Sequence, residues 1–297
     1  MEQGLEDFLA SSLAGGFVPW AAEQEAARRY AQDAHKVQAA ILDAGLLPAR
    51  YARNAGSLGL EGQLALHKAC VLVAGCGGLG GHLILGLARL GVGSIVAVDH
   101  DSFDESNLNR QALCTTANLG QSKALEAARQ AALINPACRV RPYQERLGPD
   151  NADSLLAGVN LALDGLDSVS ARIALSEACA RNGIPLVHAA VAGWYGQVST
   201  QPGADSQSES TTEARPGQSE ASVARLYAPV AAMADHGDEQ RLGNQVYGPA
   251  FAAAIQLAEA CRIITGKTPA LANSLYTYDL STMESGRFGL GWSDEDG

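Results

Sequence analysis

Val71, Leu72 and Val73 run, with one residue between, into Gly75, Gly77 and Gly80. An unbroken apolar run of this kind suits a strand buried on both faces of a parallel sheet. The Gly-X-Gly-X-X-Gly spacing that follows serves three purposes. The first glycine permits a tight turn, the second lets a phosphate approach the backbone, and the third lets helix and strand pack closely. A phosphate there would sit on the helix N-terminus, where unpaired N–H groups and the positive end of the dipole favour an anion. Leu83, Leu87 and Leu90 give the helix an apolar stripe, and Gly91 and Gly93 end it. Ser94 to Val98 reads as a second strand closed by Asp99, an acid placed to accept hydrogen bonds from a ribose. The unit implies a nucleotide, though its glycines alone fit several dehydrogenase families equally well.

A chain of 297 residues with 47% hydrophobic content can build one large α/β domain or two smaller ones. Its formal charge of −11 argues against a nucleic-acid partner, which would need clustered Lys and Arg. Cys70, Cys76, Cys114, Cys138, Cys179 and Cys261 are scattered, with no Cys-X-X-Cys pair. They read mostly as small core hydrophobes rather than disulfide or metal residues. Neither a signal peptide nor a bilayer-length apolar run is visible, so the expectation is a cytoplasmic protein with no membrane partner.

Residues 1–19 show no clear pattern, and Ala21 to Ala44 read as one helix stopped by Gly45 and Pro48. Arg50 to Asn54 read as a turn, with Gln63 to His67 leading into the first strand. After Asp99 comes a loop with Asp101, Asn107, Arg110 and Gln111. It lies where open α/β sheets bind ligands, beyond the strand ends, and makes Arg110 a candidate phosphate fork. A helix is expected from Asn118 or Gly120 to Pro136. Lys123 in its first turn is an unfavourable place for a cation unless an anion is near. Strands follow at Arg139 to Tyr143 and Val159 to Leu163, the latter leading to Asp164 and Asp167. Acids past a strand end suit a divalent metal held by carboxylate and phosphate oxygens, although Asp164 suits a cap or turn equally. A helix to Arg181, a strand from Ile184 to Ala190 and an antiparallel strand from Tyr195 to Gln201 come next. Residues 202–222 are almost devoid of apolar side chains and read as a flexible loop. Gly248 to Thr265 is a long helix with Pro249 in its first turn, and Ser274 to Leu280 a final strand before an acidic tail at 291–297. The fold class expected is α/β: a Rossmann-like, doubly wound, mainly parallel sheet continued by antiparallel strands, with helices on both faces.

Several motifs recur as a set. They are Arg50-Tyr51-X-Arg53, Gly75-X-Gly77-Gly78-Leu79-Gly80, Asp99-X-Asp101, Asn107-Leu108-X-Arg110-Gln111, Gly120-X-X-Lys123, Ile134-Asn135-Pro136 and Asp164-X-X-Asp167. As a set they resemble the ThiF/MoeB/HesA family, prokaryotic relatives of ubiquitin-activating enzymes, and the leading helical segment resembles HesA-like members most. The resemblance implies residues 1–49 as a helical extension and 50–290 as the adenylation domain, with 202–222 as its crossover loop. It implies ATP and Mg²⁺, and adenylation of the C-terminal glycine carboxylate of a small ubiquitin-like sulfur-carrier protein of the ThiS/MoaD kind. Gly75, Gly77, Gly78 and Gly80 would cradle the nucleotide, Asp99 and Asp101 would lie beside it, Asn107, Arg110 and Lys123 would grip phosphates, and Asp167 would hold Mg²⁺. Arg53 matches an arginine that reaches into the neighbouring subunit's site, implying a homodimer. The two Cys-X-X-Cys pairs of zinc-bearing relatives are absent and the 202–222 loop contains no cysteine, so neither structural zinc nor a covalent enzyme intermediate is expected. Ser168 stands where many relatives carry Asn. Two other classes compete: a silent scaffold holding a ubiquitin-like protein, which has no need of all four charged residues Arg53, Arg110, Lys123 and Asp167 together, and a nicotinamide oxidoreductase, which lacks its catalytic His or Tyr-Lys arrangement here. A small carboxylate or a modified tRNA base is a further possible acceptor, the latter disfavoured by charge.

Overall fold

The computed structural model describes residues 2–204, 222–227, 229 and 239–290. Its eight-stranded sheet has the order β3-β2-β1-β4-β5-β6-β7-β8, with β1 (Cys70–Ala74), β2 (Ser94–Val98), β3 (Arg139–Tyr143), β4 (Leu161–Asp164), β5 (Leu186–Ala192), β6 (Tyr195–Gln201), β7 (Ser274–Asp279) and β8 (Glu284–Gly289). Strands β3 to β5 pair parallel and β5 to β8 antiparallel. Period-two alternation sends Val71, Val73, Ile95 and Leu163 to one face, against α5 (Gly78–Leu90), α6 (Lys123–Ile134) and α11 (Tyr247–Ile264). Leu72, Ala74, Val96 and Ala162 face the other way, against α7 (Ala152–Leu155), α8 (Val169–Arg181) and α9 (Ser222–Tyr227). This is the expected doubly wound α/β architecture with an antiparallel extension.

Five expectations need correction. Residues 2–11 form a helix, α1 (Glu2–Ser11), because Leu5 and Leu9, four residues apart, are both buried. The single helix expected over 21–44 is two, α2 (Trp20–Arg29) and α3 (Ala34–Asp43). Ala31 adopts φ 50 between them, and Asp33 caps α3 by accepting from Lys36 N–H at 2.9 Å. The segment after Arg53 is a helix, α4 (Ala55–Lys68), kinked at Gly59, whose three glycines read as turn signals in the sequence. Strand β7 is not the last, since polar, exposed β8 pairs with it across a turn at Met283. The next helix boundary also moves: α6 begins at Lys123, because Asn118 ties a turn through Leu113 O and Thr115 N. Of the 202–222 loop, Pro202 and Gly203 are buried and Ser222 starts α9, while 205–221 lie outside the described residues, as does the 291–297 tail. No described helix is long and apolar enough to cross a membrane.

Helices α1 to α3 share a small core of Leu5, Leu9, Val18, Ala26, Val37 and Ile41. A directed polar chain fastens them to the sheet domain. Arg50 donates to Glu23 (2.6 Å) and to Asn135 Oδ1 (2.7 Å), and Asn135 donates to Tyr51 (2.8 Å). Tyr51 in turn donates to Gln38 (2.9 Å), and Gln38 donates to His67 Nδ1 (2.9 Å). Each member is paired in a buried setting, where a broken link costs more than on the surface.

Burial, seconded by nearby His35, pushes the His67 imidazole down to about 4. The folded state therefore holds it neutral, whereas the unfolded chain protonates it below about 6.5. Its contribution is present above that value and is lost as pH falls toward 4. Thermal melts of wild type and His67→Gln between pH 7 and pH 4 should show the variant losing stability less steeply, by up to one proton. Parallel pH slopes would contradict this.

Candidate active site

The strand order reverses at β1, whose neighbours β2 and β4 are reached by connections running in opposite directions. In open α/β sheets the crevice beyond such a point binds ligands. A cleft of about 650 Å³ opens there, within the size range of small-molecule sites. Gly75 leaves β1 at φ +85, and a Cβ on it would lie 2.5 Å from the Gly165 carbonyl oxygen beyond β4. A Cβ on Gly80 would overlap the Gly75 carbonyl oxygen. Gly80 therefore acts through packing and does not line the cleft, whereas Gly75, Gly77 and Gly78 do.

Asp99 closes β2 with both carboxylate oxygens engaged, one accepting from Cys76 N–H (2.7 Å) and the other from Asp101 N–H (2.8 Å). Each oxygen keeps a further lone pair for a ligand hydroxyl. Burial pushes this carboxyl up, and the Lys123 charge only partly opposes it. Cys76 is fully buried beneath the glycine turn, where burial drives its thiol far above the ordinary range. It packs, as expected.

Beyond Asp101, Asp104 and Asn107 form a reciprocal cap: Asp104 accepts from Ser106 N–H (2.9 Å), and Asn107 Oδ1 accepts from Asp104 N–H (3.1 Å). Asn107 is consequently buried and shapes the loop. It is its neighbours Ser106, Asn109, Arg110 and Gln111 that line the cleft. Arg110 is steered by donating to Ser106 O (2.8 Å) and Asn109 Oδ1 (2.9 Å).

Lys123 is the first residue of α6, buried, with its ammonium 2.9 Å from Asp101 Oδ2. That ion pair offsets the unfavourable position of a cation at a helix N-terminus. Burial pushes the Asp101 carboxyl up, but the hydrogen bond and charge of Lys123 outweigh this and hold it below the usual carboxylate range. Asp167, just ahead of α8, presents an exposed carboxylate to the same cleft. A second group with possible metal-ligand atoms, Asp99, His100 and Asp101, lies on the opposite wall.

Of the expected site residues, the cleft thus gathers Gly75, Gly77, Gly78, Asp99, Asp101, Arg110, Lys123 and Asp167. Arg53, exposed in the turn before α4, is not among its lining residues. Two cations outside the sequence motifs, Arg146 and Arg172, are. Arg172 lies five residues beyond the Asp164-X-X-Asp167 motif, one turn into α8, and that spacing is the signal the sequence offers. The donor set fits a nucleoside polyphosphate and a hard cation: open backbone at a helix N-terminus, an acid for a diol, clustered cations and an exposed carboxylate.

Comparison with known proteins is consistent with this geometry. The ThiF family profile matches residues 51–294. Over 153 residues the chain is 43% identical to the probable adenylyltransferase/sulfurtransferase MoeZ of Mycobacterium tuberculosis, covering 51% of this chain and 39% of that one. It is 38% identical over 153 residues to the SAMP-activating enzyme E1 of Haloferax volcanii, covering 51% and 57%. This chain therefore spans about two fifths to just over half the length of those relatives. The structure of Escherichia coli MccB with ATP shares the fold, with a TM-score of 0.64 at 18% identity over 83% of this chain and 73% of that one.

The Lys123–Asp101 pair generates a test. Asp101→Ala should leave a buried ammonium without its partner and lower stability by about 1–3 kcal/mol. Added pyrophosphate should then raise the melting temperature of the variant more than that of the wild type. Equal pyrophosphate shifts would show that Lys123 does not face the anion-binding part of the cleft.

Proposed function

The chain belongs to the ThiF family, and from that premise we propose that it adenylates the C-terminal glycine carboxylate of a small ubiquitin-like sulfur-carrier protein, consuming ATP and releasing pyrophosphate. The observation that carries this reading is the convergence of Asp99, Arg110, Lys123 and Asp167 around one glycine turn. The names of MoeZ, a probable adenylyltransferase/sulfurtransferase, and of the SAMP-activating enzyme E1 point the same way.

Bound ATP would supply the electrophilic α-phosphorus and the pyrophosphate leaving group, and Mg²⁺ at Asp167 would neutralise phosphate charge. The protein's share is positioning and electrostatics, since an attacking carboxylate needs no enzyme nucleophile. The α5 N-terminus with Gly77 and Gly78 receives phosphate oxygens, and Asp99 accepts from the ribose. Arg110 and Lys123 balance the charge that builds on the leaving group. Lys123 exchanges its resting partner Asp101 for phosphate, so the site presents a compensated cation before the nucleotide arrives. Arg53 completes the neighbouring subunit's site in a homodimer. Structural zinc has no part in this reading, and sulfur comes from another protein.

ATP–pyrophosphate exchange that depends on an added carrier tests the assignment. Arg110→Ala and Asp167→Ala should each lower exchange by about a hundredfold or more while leaving the fold unchanged. Near-normal exchange in either variant would remove that residue from the site, and no exchange with any carrier would defeat the proposal. Separately, inactive Arg53→Ala and Asp167→Ala proteins should regain exchange when mixed and allowed to reassort. Full activity in a monomer would contradict shared sites.

A further inference from the structure

Arg172 lines two cavities at once. One is the nucleotide cleft, and the other is a second pocket of about 870 Å³ over β5 to β8, to which Gln197 and Tyr227 also contribute. Behind it lies a buried chain of groups whose hydrogen-bond direction can be worked out. Asp164, at the end of β4, and His188, on β5, are both fully buried, and Asp164 Oδ2 is 2.6 Å from His188 Nδ1. With Asp164 Oδ2 as the acceptor of this contact, Nδ1 carries the proton. Burial pushes this imidazole down, leaving Nε2 a bare acceptor. The Tyr227 hydroxyl, 3.1 Å away, must then donate to Nε2. Its lone pairs are left to accept from Arg172 (3.4 Å) and Gln197 (3.3 Å). Arg172 is held further by Leu166 O at 2.6 Å, by Asp164 Oδ2 at 3.7 Å and by the Tyr227 ring, 5.3 Å from its guanidinium carbon.

We infer that Tyr227 is a positioning residue: its hydroxyl, oriented through His188 and Asp164, fixes the Arg172 guanidinium at the junction of the two cavities. A carboxylate arriving from the second pocket then meets a cation already aimed at it. This rests on the adenylation reading. Tyr227 closes α9, a helix docked on α8 and β6 through Ser176, which accepts from Ala224 N–H (2.9 Å) and donates to Gln201 (2.7 Å). The placement of Arg172 therefore depends on α9 being seated. A tyrosine serving only to fill space could be phenylalanine. One that sets Arg172 could not, because removing the hydroxyl strips His188 Nε2 of its donor and Arg172 of an acceptor.

The test compares wild type, Tyr227→Phe, Arg172→Lys and the double variant in exchange driven by a ThiS/MoaD-like carrier ending in Gly-Gly, with ATP affinity measured separately. Tyr227→Phe should lower kcat about tenfold or more and leave ATP affinity within about twofold. It should add nothing further in the Arg172→Lys background, because it acts through Arg172. Wild-type kcat in Tyr227→Phe, or multiplicative effects in the double variant, would overturn the inference. A second measurement needs no carrier: ¹⁵N–¹H spectra should show resolved, restrained Arg172 Nη signals in wild type that average in Tyr227→Phe. Unchanged signals would also overturn it. Should wild type show no exchange with any carrier, the adenylation reading fails, and the spectra still decide whether Tyr227 holds Arg172.

Discussion

Everything in the site hangs on how closely two strand ends approach. Gly75, leaving β1, and Gly165, leaving β4, meet with backbone on backbone, and a Cβ on either would press against the carbonyl of the other turn. Gly80 locks α5 onto the same turn. Because β1 and β4 are hydrogen-bonded neighbours reached from opposite sides of the chain path, this contact is also the floor of the crevice. A side chain here would push β4 away from β1. Asp99, Asp164 and Asp167 would then lose their common frame.

Upon that frame the electrostatics are arranged in compensated pairs rather than as a bare cluster of cations. Lys123 rests on Asp101, Arg172 leans toward Asp164, and Arg110 is steered by neutral acceptors in its own loop. A cation left there without a partner would cost about 1–3 kcal/mol, so the resting site needs these acids. Their partial exposure matters as well. Asp101 is about half exposed, so Lys123 can change partner at modest cost, whereas fully buried Asp164 keeps its partners. Mobile and fixed charges thus divide the cleft between phosphate handling and alignment.

The sheet and its central unit were legible because their signals are local. Apolar runs, the glycine spacing and Asp99 placed β1, α5 and β2 within a residue or two, and the change from parallel to antiparallel order at Tyr195 was foreseen. Features set by tertiary contact were not. The split between α2 and α3 has no proline or glycine to announce it, and α4 hides behind three glycines. Strand β8 has exposed, polar residues because it is an edge strand with little to bury. Within the site, the Asn-Leu-X-Arg-Gln motif sets Asn107 beside the phosphate residues, yet its side-chain oxygen closes a cap. Motif membership says that a residue matters, not which way its side chain points. The partnership of His188 and Tyr227, 39 residues apart across the sheet, leaves no mark in the sequence at all.

Adenylation requires the cleft to present the α-phosphorus of ATP, and not the γ-phosphorus, to the acceptor carboxylate. Incubating the protein with Mg²⁺ and a Gly-Gly-ending carrier, using ATP labelled at either the α- or the γ-phosphate, addresses it directly. The account predicts that α-label, and only α-label, becomes attached to the carrier in an acid-anhydride linkage that hydroxylamine releases, with γ-label recovered in pyrophosphate. Transfer of γ-label to the carrier, or release of γ-label as free phosphate with ADP, would contradict it.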